Sequence, residues 1–191
     1  MSHTTLLVIV VLAVVAVVAI GAAVYEARRR ATLQSRFGPE YGRVVQTTGT
    51  ALRAEAELEA RAKRVSQYQI KPLSAEQSTR FATAWRQLQS RFVDQPSKAV
   101  AEADVLVTEV MTTRGYPMAE FEQRAEDLSV DHAAVVNHYR EAHQIATRPA
   151  DAPLTPSTED LRQAFVHYRA CFEDLLAGTG PGLDVRDLST S

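Results

Sequence analysis

Cysteine is almost missing from this chain: among 191 residues only Cys171 carries a thiol. Its position, far from the N-terminus, excludes lipoprotein processing at the first apolar segment, and a lone thiol fits a reducing compartment. Period-two alternation is missing as well. Beyond the N-terminal segment no stretch alternates apolar and polar residues long enough for a strand, and no fixed-length repeat occurs. Lysine is scarce, three against eighteen arginines, and alanine is abundant; this is the bias of a GC-rich bacterial genome and carries no functional message. Residues 1–5 hold no Lys or Arg. The distal part is short of positive charge: residues 65–191 contain twelve Lys/Arg against eighteen Asp/Glu, so nucleic acid has no electrostatic footprint there.

What is present begins with an apolar run. Residues 6–20 are fifteen unbroken apolar residues, extended by 21–25 before the first acid, Glu26. A helix needs about 20 apolar residues to cross about 30 Å of hydrocarbon, and 4–25 supplies that length. A cleaved signal peptide would carry a positive n-region and a shorter apolar core; only Gly21-Ala22-Ala23 imitates its cleavage site. Ala13, Ala16, Ala19 and Ala23 fall near one helical face, a weak packing signal in a chain so rich in alanine. Arg28, Arg29, Arg30, Arg36 and Arg43 follow the run and none precedes it, which places the C-terminal domain in the cytoplasm by the positive-inside rule. Residues 26–64 hold nine Lys/Arg against five Asp/Glu, a basic stretch beside an anionic leaflet.

The remainder suits one helical domain. Residues 26–36 continue the anchor helix, and Phe37-Gly38-Pro39-Glu40-Tyr41-Gly42 is expected to stop it. From Arg43 a single second helix is expected, with Val44, Thr48, Ala51, Glu55, Leu58, Ala62 and Val65 as a weak, half-exposed stripe. Ser74-Ala75-Glu76-Gln77 reads as a capping box before the strongest stripe, Phe81, Trp85, Leu88 and Phe92. Asp94-Gln95-Pro96-Ser97 starts another helix with Val100, Ala103, Val107, Val110 and Met111 buried, ended by Arg114-Gly115-Tyr116-Pro117. A short helix is expected at about 118–127, and then one from a cap at Asp127 or Ser129 to about 146. Ser157-Thr158-Glu159-Asp160 opens the last helix, striped by Leu161, Phe165, Tyr168, Phe172 and Leu175. The expected organisation is therefore all-α: a short tail at 1–5, a single transmembrane anchor at 6–26, a juxtamembrane basic segment and amphipathic helix at 27–67, a helical bundle at 68–178 with a proline-rich linker at 147–157, and a flexible tail at 179–191.

Candidate chemistry is thin. His132, His138 and His143 are expected on one helix, with His132 and His143 sharing a face three turns apart, roughly 16 Å at 1.5 Å per residue. His138 points elsewhere, and His167 lies on the last helix. Neither Glu-x-x-His nor His-Glu-x-x-His precedes or spans any of them, so no metal, cofactor or catalytic residue is assigned. Gly178-Thr179-Gly180-Pro181-Gly182 follows a helix and so reads as a C-cap, the reverse of a phosphate loop. Cys171 reads as inert, and the acids Glu120, Glu122, Glu126 and Asp127 as solvated surface.

Arg36-Phe37-Gly38-Pro39-Glu40-Tyr41, Phe92-Val93-Asp94, Arg114-Gly115-Tyr116-Pro117, Asp127-Leu128-Ser129-Val130-Asp131-His132 and Tyr139-Arg140 together resemble a family of uncharacterised bacterial proteins, often labelled hypothetical or secreted. The resemblance covers nearly the whole chain after the anchor. It implies one N-terminal span and a helical domain, and no activity or ligand. The expected function is a membrane-tethered helical interaction or scaffolding module at the cytoplasmic face of the inner membrane. Its partners are the lipid bilayer and a protein docked on helix 43–67. The alternatives are a metal-dependent or hydrolytic enzyme using the histidine-bearing helix, and an extracytoplasmic protein with a cleaved or uncleaved signal anchor.

Overall fold

The computed structural model describes residues 3–148 and 156–178, which fold into eight α-helices with no strand among them. In order they are α1 (His3–Phe37), α2 (Pro39–Thr48), α3 (Ala51–Val65), α4 (Ala75–Asp94), α5 (Pro96–Arg114), α6 (Phe121–Asp131), α7 (Val136–Ala146) and α8 (Thr158–Ala177). The expected linker at 147–157 and the expected tails at 1–5 and 179–191 lie wholly or in part outside the described residues.

α1 is long and apolar enough to span a membrane, and its most apolar window buries none of its residues in the protein. Side chains from Val11 to Ala23, the four alanines included, are exposed. The same helix then changes character. Leu33 and Phe37 on its last turns are buried in a cluster with Tyr41 and Val44 of α2, Ala54, Leu58 and Val65 of α3, and Val130 of α6.

A larger core joins α4, α5, α7 and α8, with Ala125 and Leu128 of α6 reaching into it. Trp85 lies stacked between Phe165 and Phe172, with ring centroids 4.9 and 4.7 Å away. Phe81, Trp85, Leu88, Phe165, Tyr168 and Phe172 are all buried, as their stripes predict. The starts of the two aromatic helices are also as expected. Ser74 and Gln77 form a reciprocal capping box on α4, and Ser157 and Asp160 form another on α8.

Four expected boundaries move. The stop at 37–42 shrinks to Gly38, because Pro39 opens α2 at the position where a missing N–H costs nothing. The single helix expected from Arg43 is two helices. Gly49, at φ +78°, caps α2 in the left-handed region, and the Thr50 side chain accepts the Arg53 N–H to start α3. Its stripe packs inward more than expected, with Val44, Glu55, Leu58 and Val65 buried and Thr48, Ala51 and Ala62 half-buried. The helix expected at 118–127 starts at Phe121 and runs on to Asp131, so neither Asp127 nor Ser129 is a cap. His132 closes α6, and a short turn separates it from α7.

Gly115 marks the joint between the two cores. It sits at φ +105°, and a Cβ there would lie 2.4 Å from the Gln69 carbonyl oxygen. The Lys71 N–H donates to the Arg114 carbonyl beside it at 2.7 Å. The segment between α3 and α4 is thus pinned to the end of α5, a close approach that only glycine permits.

Candidate functional site

Three clusters of ionisable side chains lie on or between the helices of the bundle. α7 and α8 pack side by side, and Tyr139, Ala142, Ala164 and Tyr168, all buried, hold them together. One position before Tyr139 and one before Tyr168, His138 and His167 emerge half-buried and face one another across the seam. Their Nδ1 atoms are 2.8 Å apart and their rings stack at 4.9 Å. Glu141, one helical turn after His138, places a carboxylate oxygen 3.2 Å from the outer nitrogen Nε2 of His167. The histidine that the pattern left pointing away from the others is therefore the one that meets another histidine. The signal was present as His-x-x-Glu, the reverse of the order sought, but its third member comes from a helix nearly thirty residues on.

His143 and His132 do not share a face. His132 ends α6, while His143 lies on α7. His143 stacks on Phe121 with centroids 3.6 Å apart and its Nδ1 lies 3.4 Å from Asp104. Asp104 also accepts the Tyr168 hydroxyl at 2.9 Å. Burial, and then the neighbouring Asp104 charge, push the Tyr168 phenol well above its usual range and that of Tyr139 up to about 12. Neither phenol is a base at neutral pH. Beside them a groove of about 510 Å³ is lined by Val105, Thr108, Thr112 and Met118, with Asp104 and Arg124 on its walls.

His132 is buried in a third cluster. Its Nδ1 meets the Asp174 carboxylate in a close contact, and Arg114 Nη1 lies 3.1 Å from its Nε2 and donates to the Leu175 carbonyl at 3.1 Å. With the Nδ1 proton aimed at Asp174, Nε2 accepts from Arg114, so both ring nitrogens are engaged. The arrangement ties the ends of α5, α6 and α8 together and leaves the ring no free nitrogen for catalysis. Cys171 is fully buried, and burial and then the nearby Asp174 push its thiol up.

Of the four acids expected as solvated surface, Glu120 and Glu122 are exposed, whereas Glu126 and Asp127 are structural partners. Asp127, almost fully buried, accepts from Arg64 at 2.8 Å and from Tyr68 at 3.1 Å, and Glu126 accepts from Arg64 at 3.0 Å. Their signal was invisible locally because Arg64, on α3, and Tyr68, just after it, lie about sixty residues away.

No family model, curated protein or solved structure matches the chain.

Proposed function

We propose that this chain is a single-span protein of a bacterial inner membrane whose helical domain works by contact, as a rigid interaction module held at the cytoplasmic face. One observation carries the reading: α1 passes without a break from its exposed apolar stretch into the core at Leu33 and Phe37. Arg29 to Glu59, Arg30 to Glu55 and Arg36 to Asp131 fasten it further. No flexible linker intervenes. Twelve residues of helix separate Tyr25 from Phe37, about 18 Å at 1.5 Å per residue, so the bundle is held close to the bilayer in one pose. A partner sharing that surface meets it at raised effective concentration. The absence of a nucleophile with a positioned base in the three clusters favours contact over hydrolysis.

The five arginines after the span support the cytoplasmic orientation. Within 43–67 the partner surface is the outward face of α3, because Val44, Glu55, Leu58 and Val65 pack inward. Arg61 is almost fully buried and Arg64 is paired to Asp127, so neither is free to greet a partner. The outward face of α3 carries Leu52, Arg53, Ala56, Ala60 and Lys63, all exposed. Leu52 is 69% exposed, a large apolar side chain offered to a neighbour.

The test uses the full chain in its native membrane, with a photo-crosslinker at Ala56. A discrete adduct is expected, lost with Arg53→Glu/Lys63→Glu while the melting temperature is unchanged. No adduct, or one indifferent to the double change, refutes docking on α3. Protease applied to intact spheroplasts should spare the bundle; cleavage without lysis would make it extracytoplasmic.

A further inference from the structure

We propose that His138, Glu141 and His167 form a binding site for a borderline divalent cation of the Zn²⁺ class on the α7–α8 surface. One donor atom from each of the three lies within 4.8 Å of the others. The 2.8 Å contact between the two Nδ1 atoms requires one ring to donate and the other to accept, so at least one lone pair already points into the gap. Zn–N bonds of 2.0–2.1 Å in a tetrahedral site set neighbouring donors roughly 3.4 Å apart. The imidazoles therefore need to separate by only about half an ångström to admit the cation in place of the shared proton.

The backbone positions are fixed while the side chains are not. Tyr139, Ala142, Ala164 and Tyr168, next to the ligands in sequence, are wholly buried and hold the two helices in register. Glu141 has a side chain 58% exposed, free to swing its carboxylate inward, and among the described residues no arginine or lysine pairs with it. Two imidazoles and one carboxylate favour Zn²⁺ and its neighbours Co²⁺ and Ni²⁺ over Mg²⁺ or Ca²⁺, which prefer oxygen ligands. Three protein donors at a half-exposed seam leave the fourth position to water. Bound cation would staple α7 to α8 at mid-helix and stabilise the folded chain.

The experiment takes the full chain in detergent micelles, freed of metal with chelator, and titrates it with Co²⁺ and then Zn²⁺ at neutral pH. The expected result is a visible d–d band of a four-coordinate site that saturates at one equivalent, is displaced by Zn²⁺, and accompanies a rise in melting temperature. His138→Ala and His167→Ala should each weaken binding at least tenfold, and Glu141→Ala about tenfold, with helical circular dichroism retained. His143→Ala and His3→Ala should leave the band in place. A wild-type chain with neither band nor thermal shift overturns the site without reference to any variant. So does binding that survives loss of both His138 and His167, or that follows His143 or His3 instead.

Discussion

The two cores of this protein are built from different materials. Around Trp85 the bundle of α4, α5, α7 and α8 closes on aromatic and aliphatic side chains, and its stability comes from apolar area removed from water. The N-terminal unit, made of the end of α1 with α2, α3 and one face of α6, has a smaller apolar cluster around Phe37 and Leu58 and encloses it in charge. Glu40, wholly buried, receives Arg61 at 2.8 Å, Arg140 at 2.7 Å and both Nε and Nη2 of Arg43. Glu55, also buried, receives Arg30 at 2.8 Å and the Tyr41 hydroxyl at 3.1 Å. Buried pairs repay their desolvation only when the geometry is good, so they contribute less net stability than an apolar core of equal size. What they supply here is direction. Arg140 comes from α7, and so Glu40 bolts the N-terminal unit to the bundle in one seating. One region is held chiefly by apolar area; the other leans on ionised pairs.

That contrast can be broken from either side. The largest expected effect is Trp85→Ala, which removes a ring stacked on both Phe165 and Phe172 and should cost about 3–5 kcal/mol. Thermal melts of the full chain in micelles should show the loss to be nearly independent of salt and pH. An unchanged melting temperature would mean that the bundle is not organised around this residue.

Glu40→Ala comes next, at about 3 kcal/mol, because it strands buried guanidinium groups without a counter-charge. Hydrogen exchange should quicken in α2 and α3 and much less in α4 and α8; uniform quickening would show that the two cores form one cooperative unit. Acid should do the same by protonation. Burial resists ionisation of Glu40, but hydrogen bonds from Arg43 and Arg140 outweigh it and hold its carboxyl down at about 2, against an ordinary 4.5. A folded-state value below the unfolded one adds stability above pH 4.5 that drains away as the pH falls toward 2. Protection in α2–α3 should fade across that window before Trp85 fluorescence changes, and Glu40→Gln should flatten the profile.

Gly115→Ala, at the joint between the regions, should cost about 2 kcal/mol, since a left-handed backbone must carry a Cβ that collides with the Gln69 carbonyl. The melting temperature should fall with α4 and α8 protection largely retained. Equal stability would mean that the 66–74 segment is free to move aside.

Much of this was legible in the residues themselves. The apolar run of α1, the absence of strands among the described residues, the capping boxes at Ser74 and Ser157 and the aromatic stripes of α4 and α8 follow from local rules: helical periodicity, side-chain capping and the length needed to cross a bilayer. A residue whose role is set by neighbours three or four positions away announces it. The start of α3 was legible in principle too, because Gly49 and Thr50 are a cap and a start signal side by side, masked by a stripe that runs through both. Only the tertiary structure decided the rest. Glu40 meets Arg140 across a hundred residues, Asp127 meets Arg64 across sixty-three, and His138 meets His167 across twenty-nine. Charge and imidazole carry no periodic signature, and their partners are chosen by how helices pack. A buried carboxylate reads in sequence like a solvated one, and folding alone determines which of them is surrounded by arginine.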